Sequence, residues 1–198
     1  MLSFNPVNSQ IEFCKTLQSV TPQIDASYQK QNANLALLAI KMIGKKLDIK
    51  FDIEKSINAI SQTKWAGRLQ KTHIKTINRE IVIDCAHNID GISQFLEYIK
   101  GLSGGTLIIA MLKRKFTTKI SNLLNAFLNE HKGFKIITTN FEDAEECLPA
   151  DEFAQYIAHP NCTYSNVIKE AFELSQNAEN IFLCGSIHFV GFVMHTAS

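Results

Sequence analysis

The chain has 198 residues, of which 45% are hydrophobic and 20% are charged, and its formal net charge is +1. That length allows one good domain, or one domain with a small appendage. A net charge so close to zero provides no global field to attract nucleic acid or an anionic membrane, and no apolar run approaches the ~20 residues of a membrane span. The composition predicts a globular cytoplasmic protein that binds neither nucleic acid nor membrane.

The cysteines argue against a metal or disulfide scaffold. They are odd in number, widely spaced and include no CxxC pair. Such a set favours reduced thiols, with Cys85 and Cys184 buried as small apolar residues at the ends of apolar runs. The five positions are Cys14, Cys85, Cys147, Cys162 and Cys184.

The first third of the chain is predicted to be helical. Residues 1–27 show little periodicity apart from a modest helical stretch around Ile11–Leu17. A long helix follows, because apolar residues there recur at the spacing of one helix face. A second, short helix is predicted over Ile53–Ile60. The apolar positions of the long helix are Leu35, Leu38, Ala39, Met42 and Ile43.

From residue 65 onward, short apolar runs alternate with amphipathic helical segments. Strands that are apolar without alternation are buried on both faces, and their alternation with helices indicates right-handed crossovers between parallel strands. We therefore predict an α/β domain with an open, mostly parallel, Rossmann-like sheet and helices on both faces. The predicted strands are Ile81–Asp84, Leu107–Met111, Lys135–Thr139 and Ile181–Cys184. The predicted helix faces are Ile92, Phe95, Leu96 and Ile99; Ile120, Leu123, Leu124, Phe127 and Leu128; and Tyr164, Val167, Ile168, Ala171 and Phe172.

A polar cluster follows the first strong strand. That strand runs into Asp84, and His87 and Asn88 stand in the same loop before a helix that begins near Gly91. In open α/β sheets, ligands bind beyond the carboxyl ends of the strands, and the N-terminus of the next helix favours anions. The loop is therefore a candidate anion site. From spacing alone, a helix cap by Asp84 or Asn88 explains it equally well.

Four stretches, in order along the chain, resemble those of one enzyme family. Residues 84–91, D-C-A-H-N-I-D-G, closely resemble the D-G-A-H-N-P-x-G of folylpolyglutamate and dihydrofolate synthases, within the Mur ligase superfamily. The other three are residues 65–70, W-A-G-R-L-Q, similar to W-P-G-R-hydrophobic-E/Q; residues 28–33, Y-Q-K-Q-N-A, similar to H-Q-x-x-N-A; and residues 184–191, C-G-S-I-H-F-V-G, similar to G-S-L-Y-L-V-G. The resemblance implies that residues 1–64 are a helical remnant of the ligase's central ATP-binding domain. Residues 65–198 would be its C-terminal domain.

The resemblance also implies a reaction and roles for five residues. In this family ATP phosphorylates a carboxylate on a folate or pteroate, and the amino group of glutamate attacks the acyl phosphate, with ATP and Mg²⁺ as cofactors. By position, Arg68 would contact the phosphates, Asp84 the ribose hydroxyls and Asn32 the adenine side. His87 and Asn88 are the implied catalytic residues, which order the loop or approach the reacting end. Without the resemblance, a surface ion pair would better explain Arg68, and a helix cap would better explain Asn32.

The sequence lacks the family's Gly-rich loop of the G-T-N-G-K-G-S kind, whose backbone amides and lysine cradle the ATP phosphates. Gly44-Lys45-Lys46 lacks the preceding glycine and the following hydroxyl residue, and Gly104-Gly105-Thr106 lacks the lysine and precedes a strand. The family's magnesium ligands are missing as well. We therefore expect half of an ATP site and no activity by the chain alone. Three origins stay open: a fragment of a split enzyme whose P-loop lies on a separate N-terminal domain, an expressed domain, or the product of a decaying gene.

Smaller departures concern single positions. Ala66 replaces the proline of W-P-G-R, Cys85 the glycine of D-G-A-H-N, and Tyr28 the histidine of H-Q-x-x-N-A. Phe116 follows Lys115 where the family often has an aspartate. The basic run 113–115 is explained equally well as an anion-facing tip and as a solvated charge run.

Three functions remain open from the sequence. The first is the C-terminal part of a ligase that adds L-glutamate to dihydropteroate or folates. The second is a non-catalytic remnant that binds nucleotide or a partner. The third is a module of another Mur ligase, such as a peptidoglycan amino-acid ligase. Whether the chain by itself is an enzyme also remains open.

Overall fold

The computed structural model describes residues 27–141 and 146–196, which fall into two compact units that divide between Trp65 and Ala66. The predicted helical stretch around Ile11–Leu17 lies outside the described residues. The origin of the first unit as a remnant of a ligase central domain stays a prediction. The helices are α1 (Ser27–Lys46), α2 (Ile53–Gln62), α3 (Ile89–Ile99), α4 (Thr118–Glu130), α5 (Ala150–Ile157), α6 (Ile168–Ser175) and α7 (Ile187–Thr196).

The described part of the first unit contains α1 and α2. The side chain of Asp52 caps α2 by accepting a hydrogen bond from the Lys55 amide at 3.0 Å. Ala33 and Leu37 of α1 are buried, and Ile57 and Ile60 of α2 pack against them. Within residues 27–65, the buried apolar cluster is therefore small and lies between the two helices.

The periodic apolar face of α1 is mostly exposed, although Leu38 packs against Ala33 and Leu37. Leu35 is 66% exposed, Met42 49% and Ile43 55%, whereas Leu37, two positions from Leu35, is fully buried. The buried side carries the small residue Ala33, which lets α2 approach closely, so packing selected the less apolar face. We call Leu35, Met42 and Ile43 the outer face of α1.

The second unit is built on a six-stranded sheet with the order β1-β2-β6-β3-β4-β5. β1 runs antiparallel to β2, and all other neighbours are parallel. This confirms the prediction of an open, mostly parallel sheet. The strands are β1 (Gln70–Ile74), β2 (Arg79–Ile83), β3 (Gly105–Ile109), β4 (Phe134–Thr139), β5 (Cys162–Ser165) and β6 (Ile181–Cys184).

Helices cover both faces of this sheet, as predicted. Alternate residues of β3 belong to two separate apolar cores, Leu107 and Ile109 to one and Ile108 to the other. Side chains of α3, α4 and α5 fill the first core, and side chains of α6 and α7 fill the second. The predicted faces of α3 and α4 are buried, since the periodic residues there point at the sheet.

One predicted helix begins too early. Tyr164 was placed on a helix face, but it lies in β5, which pairs with β4 at the edge of the sheet, and α6 starts at Ile168. A four-residue edge strand carries too few apolar residues to be distinguished from a helix start. Antiparallel β1 and helices α5 and α7 were not predicted either.

The fold places the site at one edge of the sheet. Because β2, β6 and β3 are adjacent and parallel, their carboxyl ends emerge together. The described helices of the chain include none that is both long enough and apolar enough to cross a membrane.

Candidate functional site

The loops that follow β2 and β6 are joined by backbone hydrogen bonds. The Asp84 amide donates to the Leu183 carbonyl at 2.9 Å, and the Gly185 amide donates to the Ala86 carbonyl at 2.8 Å. Two of the four stretches that resemble the ligase family, residues 84–91 and 184–191, thus meet at the carboxyl edge of the sheet.

Asp84 lies at the centre of this edge and is only 3% exposed. Its Oδ1 accepts a hydrogen bond from the Ala86 amide at 2.8 Å, and its Oδ2 accepts one from the Leu69 amide at 3.0 Å. The guanidinium Nη1 of Arg68 stands 3.6 Å from Oδ1, while the Arg68 side chain remains 35% exposed. The structure therefore brings the predicted pair, Arg68 and Asp84, together across 16 positions of sequence.

The loop that carries Arg68 is a tight turn. Both backbone groups of Gly67 are hydrogen-bonded. Its amide donates to Gln70 Oε1 at 2.8 Å, and its carbonyl accepts from the Cys85 amide at 2.7 Å. Gly67 has φ +69, and a Cβ there would collide with Cys85 Sγ. Only glycine fits this position without strain. Gln70 belongs to the W-A-G-R-L-Q stretch, but the sequence indicates no role for it. In the structure its side-chain carbonyl accepts the hydrogen bond that closes the turn.

Cys85 stands where the family's D-G-A-H-N stretch has a glycine, and its side chain occupies space that a glycine would leave empty. Its side chain packs against Gly67, so the departure at this position tightens the contact between the two loops. Burial raises the pKa of the Cys85 thiol, and the nearby Arg68 cation acts in the opposite direction. The thiol is therefore protonated at neutral pH.

His87 and Asn88 have distinct local roles. Nδ1 of His87 is 2.9 Å from the Cys85 carbonyl oxygen. Because a carbonyl only accepts, Nδ1 carries a proton, which leaves Nε2 as the acceptor when the ring is neutral. Asn88 caps α3, since its Oδ1 accepts from the Gly91 amide at 2.8 Å. The helix-cap explanation thus holds for Asn88 and not for Asp84.

Asn32 lies in the first unit. It is exposed in the interior of α1, five residues after the helix begins, with its Nδ2 3.5 Å from Gln29 Oε1. The alternative that Asn32 caps the helix is wrong, because α1 already starts at Ser27. Its adenine contact stays a prediction.

The basic run 113–115 forms a 3₁₀ turn directly after β3. Arg114 pairs with Glu146 at 2.9 Å, and both side chains are largely exposed. Phe116 packs against Phe153 and Tyr156, with ring centroids 5.5 and 4.8 Å apart. The residue that stands in place of the family's aspartate therefore anchors the turn to α5.

A magnesium site does not fit the residues that the structure describes. Within 27–141 and 146–196, no three His, Cys, Asp or Glu side chains converge where they could hold a metal ion. The buried carboxylate of Asp84 already accepts two amide hydrogens. A nucleotide phosphate fits better, because the partly exposed Arg68 guanidinium can donate to it.

Among the comparisons with known proteins, only the comparison with solved structures gives matches. No protein-family model matches the sequence, and no curated protein matches it. Among solved structures, Mycobacterium tuberculosis folylpolyglutamate synthase complexed with ADP and AMPPCP superposes with a TM-score of 0.69 at 15% identity, over 89% of this chain and 41% of that one. E. coli FolC in complex with ADP gives 0.66 at 23% identity, over 88% and 40%. The Thermotoga maritima folylpolyglutamate synthase gives 0.61 at 20%, over 90% and 40%.

The chain has the fold of the C-terminal part of a folylpolyglutamate synthase. It spans about two fifths of the length of these proteins. The likeness agrees with the order of the four sequence stretches, which were identified independently of the fold.

Proposed function

We propose that this chain is the C-terminal, nucleotide-facing part of an ATP-dependent ligase that joins L-glutamate to dihydropteroate or folates. The observation that carries the proposal is the pairing of a partly exposed Arg68 with the buried carboxylate of Asp84 at the carboxyl edge of β2. This edge is where open α/β sheets bind ligands. Some of the similar solved structures are synthases complexed with ADP, AMPPCP or AMPPNP.

Within this half-site, Arg68 is the phosphate ligand. A planar guanidinium presents five N–H donors, which suits the spreading charge of a phosphoryl group. His87 contributes Nε2 as an acceptor toward the same edge, since its Nδ1 proton is held by the Cys85 carbonyl. ATP, when bound, would supply the phosphoryl group that activates the carboxylate of the pteroate or folate.

The remainder of the ATP site would come from a separate N-terminal domain with the P-loop and the magnesium ligands. A single arginine cannot cradle a triphosphate as a ring of backbone amides does. We therefore expect the chain alone to bind nucleotide weakly and not to form acyl phosphate. We propose the cytoplasm as the location of this activity, a proposal supported by the widely spaced cysteines, which favour reduced thiols.

A turnover assay tests the catalytic part of the proposal. The isolated chain is incubated with ATP, Mg²⁺, dihydropteroate and glutamate, and release of ADP and of the glutamyl product is measured. We expect no turnover above background. Robust turnover would show that the chain is a complete enzyme, which contradicts the half-site.

A binding assay tests the nucleotide part. ATP affinity is measured by calorimetry for the natural chain, for Arg68→Ala and for Lys100→Ala, which removes the same charge at the far end of α3. We expect Arg68→Ala to weaken binding about 10- to 100-fold, as befits a hydrogen bond to a charged group, and Lys100→Ala to change it little. Equal effects of both variants would indicate nonspecific charge attraction.

The second candidate, a non-catalytic partner-binding remnant, is favoured by one observation. The outer face of α1 is apolar and exposed, which is typical of protein interaction surfaces. Failure of the natural chain to bind ATP, with retention of its fold, would favour this candidate over the ligase.

A further inference from the structure

The amide of Gly67, in the turn beside Arg68, is held by the side chain of Gln70. Gly67 is buried, and its amide donates to Oε1 of Gln70 at 2.8 Å. A buried amide that lacks an acceptor has lost its hydrogen bonds to water without replacement, which destabilises the conformation that leaves it so. Gln70 therefore stabilises the left-handed conformation of Gly67, whose φ is +69.

Arg68 lies between two residues in the left-handed region. Gly67 precedes it, and Leu69, with a φ of 43, follows it. Such a φ is unusual for a bulky side chain and persists only where the surroundings hold it. The Leu69 amide donates to Oδ2 of Asp84 at 3.0 Å, so each neighbour of Arg68 is fixed by one acceptor oxygen. The direction in which the backbone presents Arg68 depends on both hydrogen bonds.

Gln70 connects this turn to the sheet. It is the first residue of β1, and it pairs with Ile83 of β2. Asp84, which carries the second acceptor, directly follows Ile83. The two oxygens that hold the turn thus come from neighbouring strands, and side chains on strands hold a site more precisely than side chains on loops.

The Arg68 side chain combines a contact to the protein with access to a ligand. Its Nη1 is 3.6 Å from Oδ1 of Asp84, and the side chain is 35% exposed. A guanidinium carries five N–H donors, so it can keep this contact and still donate to an anion. An arginine whose orientation is already restricted loses less entropy when it binds an anion.

We propose that Gln70 is a positioning residue of the nucleotide site. By accepting the Gly67 amide, it holds the turn in the conformation that directs Arg68 toward a nucleotide's phosphates. The inference rests on the proposed function, in which Arg68 is the phosphate ligand, and adds a residue that acts through Arg68. The ribose contact that the family resemblance implies for Asp84 is a separate prediction and is unchanged by it.

The first test removes the acceptor. Gln70→Met keeps the length of the side chain but has only a weakly accepting sulfur. The ATP affinity of the full chain is measured by ¹⁵N NMR titration, which follows weak binding. We expect Gln70→Met to weaken ATP binding about tenfold, because a buried amide loses its acceptor. Gln155→Met, the same change at an exposed position of α5, should alter the affinity less than about twofold.

Two results of this titration would overturn the inference. The first is an unchanged affinity in Gln70→Met, which would show that the hydrogen bond to Gly67 does not matter for binding. The second is an equal loss in Gln155→Met, which would show that the loss in Gln70→Met is not specific to the turn.

A second test determines whether Gln70 acts through Arg68. Gln70→Met is combined with Arg68→Ala, which removes the phosphate ligand. Because a positioning residue then has nothing to position, the double variant should bind ATP within about twofold of Arg68→Ala alone. A further loss as large as that of Gln70→Met in the natural chain would overturn the inference, since the two residues would then act independently.

A third test restores the acceptor. Gln70→Glu again provides a side-chain oxygen at the position of Oε1. Two ¹⁵N NMR measurements follow the turn, hydrogen exchange of the Gly67 amide and the Nε–H resonance of Arg68. We expect natural values in Gln70→Glu, whereas in Gln70→Met the exchange accelerates and the Arg68 resonance moves to the position of free arginine. Equal changes in both variants, or no change in either, would overturn the inference.

Gln70→Asn replaces Gln70→Met in these tests if the methionine variant loses its circular dichroism spectrum. Asparagine is also an amide but is one methylene shorter, which withdraws the oxygen from the Gly67 amide. We expect the same loss of ATP affinity and the same movement of the Arg68 resonance. Natural values of both in a folded Gln70→Asn would overturn the inference.

Failure of the proposed function gives a different result. If the natural chain does not bind ATP, the nucleotide site is wrong, and the hold of Gln70 on Arg68 is judged from the Arg68 resonance. A resonance that Gln70→Met moves and Gln70→Glu retains supports the positioning role. A resonance that Gln70→Met leaves unchanged overturns it.

Discussion

The two units of the chain differ in whether the periodic apolar residues of a helix are buried. In the second unit the periodic residues of α3 are buried, and Phe95 is only 1% exposed. In the first unit the most regular apolar face of α1 is the exposed one, and Leu35 is 66% exposed. Periodicity identified a helix correctly in both places, but the periodic face is buried in only one of them.

The difference between α3 and α1 shows what an apolar stripe in the sequence can predict. An apolar stripe indicates that one face of a helix is more stable when it is buried. It does not indicate which other part of the protein covers that face. The sheet of the second unit offers α3 a broad apolar partner, whereas α2 offers α1 only a small one, against Ala33 and Leu37. The outer face of α1 is therefore an apolar surface that the described part of the first unit leaves uncovered.

The largest expected effect is in the core of the second unit. Phe95→Ala removes a fully packed ring that meets Phe182 edge to face at 6.2 Å, and it should lower the free energy of unfolding by about 3 to 5 kcal/mol. Tyr98→Ala on the same helix, at a partly exposed position, should cost roughly 1 kcal/mol. Urea unfolding followed by circular dichroism measures both, and similar losses would show that α3 does not bury the predicted face.

The next effect concerns the turn beside the site. Gly67→Ala places a Cβ against Cys85 Sγ at a φ of +69, and we expect a loss of about 2 to 4 kcal/mol. Gly191→Ala is the matched control: nothing lies within 4 Å of the added atom, and alanine favours the helix by up to about 1 kcal/mol.

A second change separates collision from backbone strain at this turn. Cys85→Gly in the Gly67→Ala background should recover part of the lost stability, because it removes the sulfur and leaves the φ unchanged. Full recovery would mean that the backbone conformation contributes nothing, and no recovery would mean that the added methyl group does not meet the Cys85 sulfur.

A smaller effect distinguishes the two sides of α1. Leu37→Ala should destabilise the first unit by about 2 kcal/mol, and Leu35→Ala by less than about 0.5 kcal/mol, although the two residues are identical and two positions apart. Hydrogen exchange of the α1 amides is the suitable measurement, since it reports this unit separately. Equal losses would mean that the outer face is covered after all.

The smallest effect is a pH dependence in the second unit. Burial raises the pKa of Cys162 from its ordinary value of 9.0 to about 12, so the folded state holds the thiol proton more tightly than the unfolded chain. This stability is fully present below pH 9 and is lost as the pH rises from 9 toward 12. The urea midpoint should therefore fall less between pH 8 and pH 10 in Cys162→Ala than in the natural chain, and an equal fall would contradict the burial.

Much of the second unit could be predicted from sequence because its signals are local. The four predicted parallel strands and the buried faces of α3 and α4 follow from apolar runs and 3.6-residue spacing. β1 was missed because four of the five residues of Gln70–Ile74 are polar, so that only pairing with β2 at the edge of the sheet defines the strand. The two sequence stretches identified Arg68 and Asp84 as site residues, but they did not indicate which groups each of them contacts.

The sequence by itself determined the α/β class, the order of the elements and the loop on which Asp84, His87 and Asn88 lie, because short-range periodicity and turn chemistry encode these. Only the tertiary structure decided that Asp84 is buried against Leu69 and Arg68, and that Leu35 faces outward. Those outcomes depend on contacts between segments far apart in the chain. Their packing is settled by shape, hydrogen-bond geometry and the area that each partner offers.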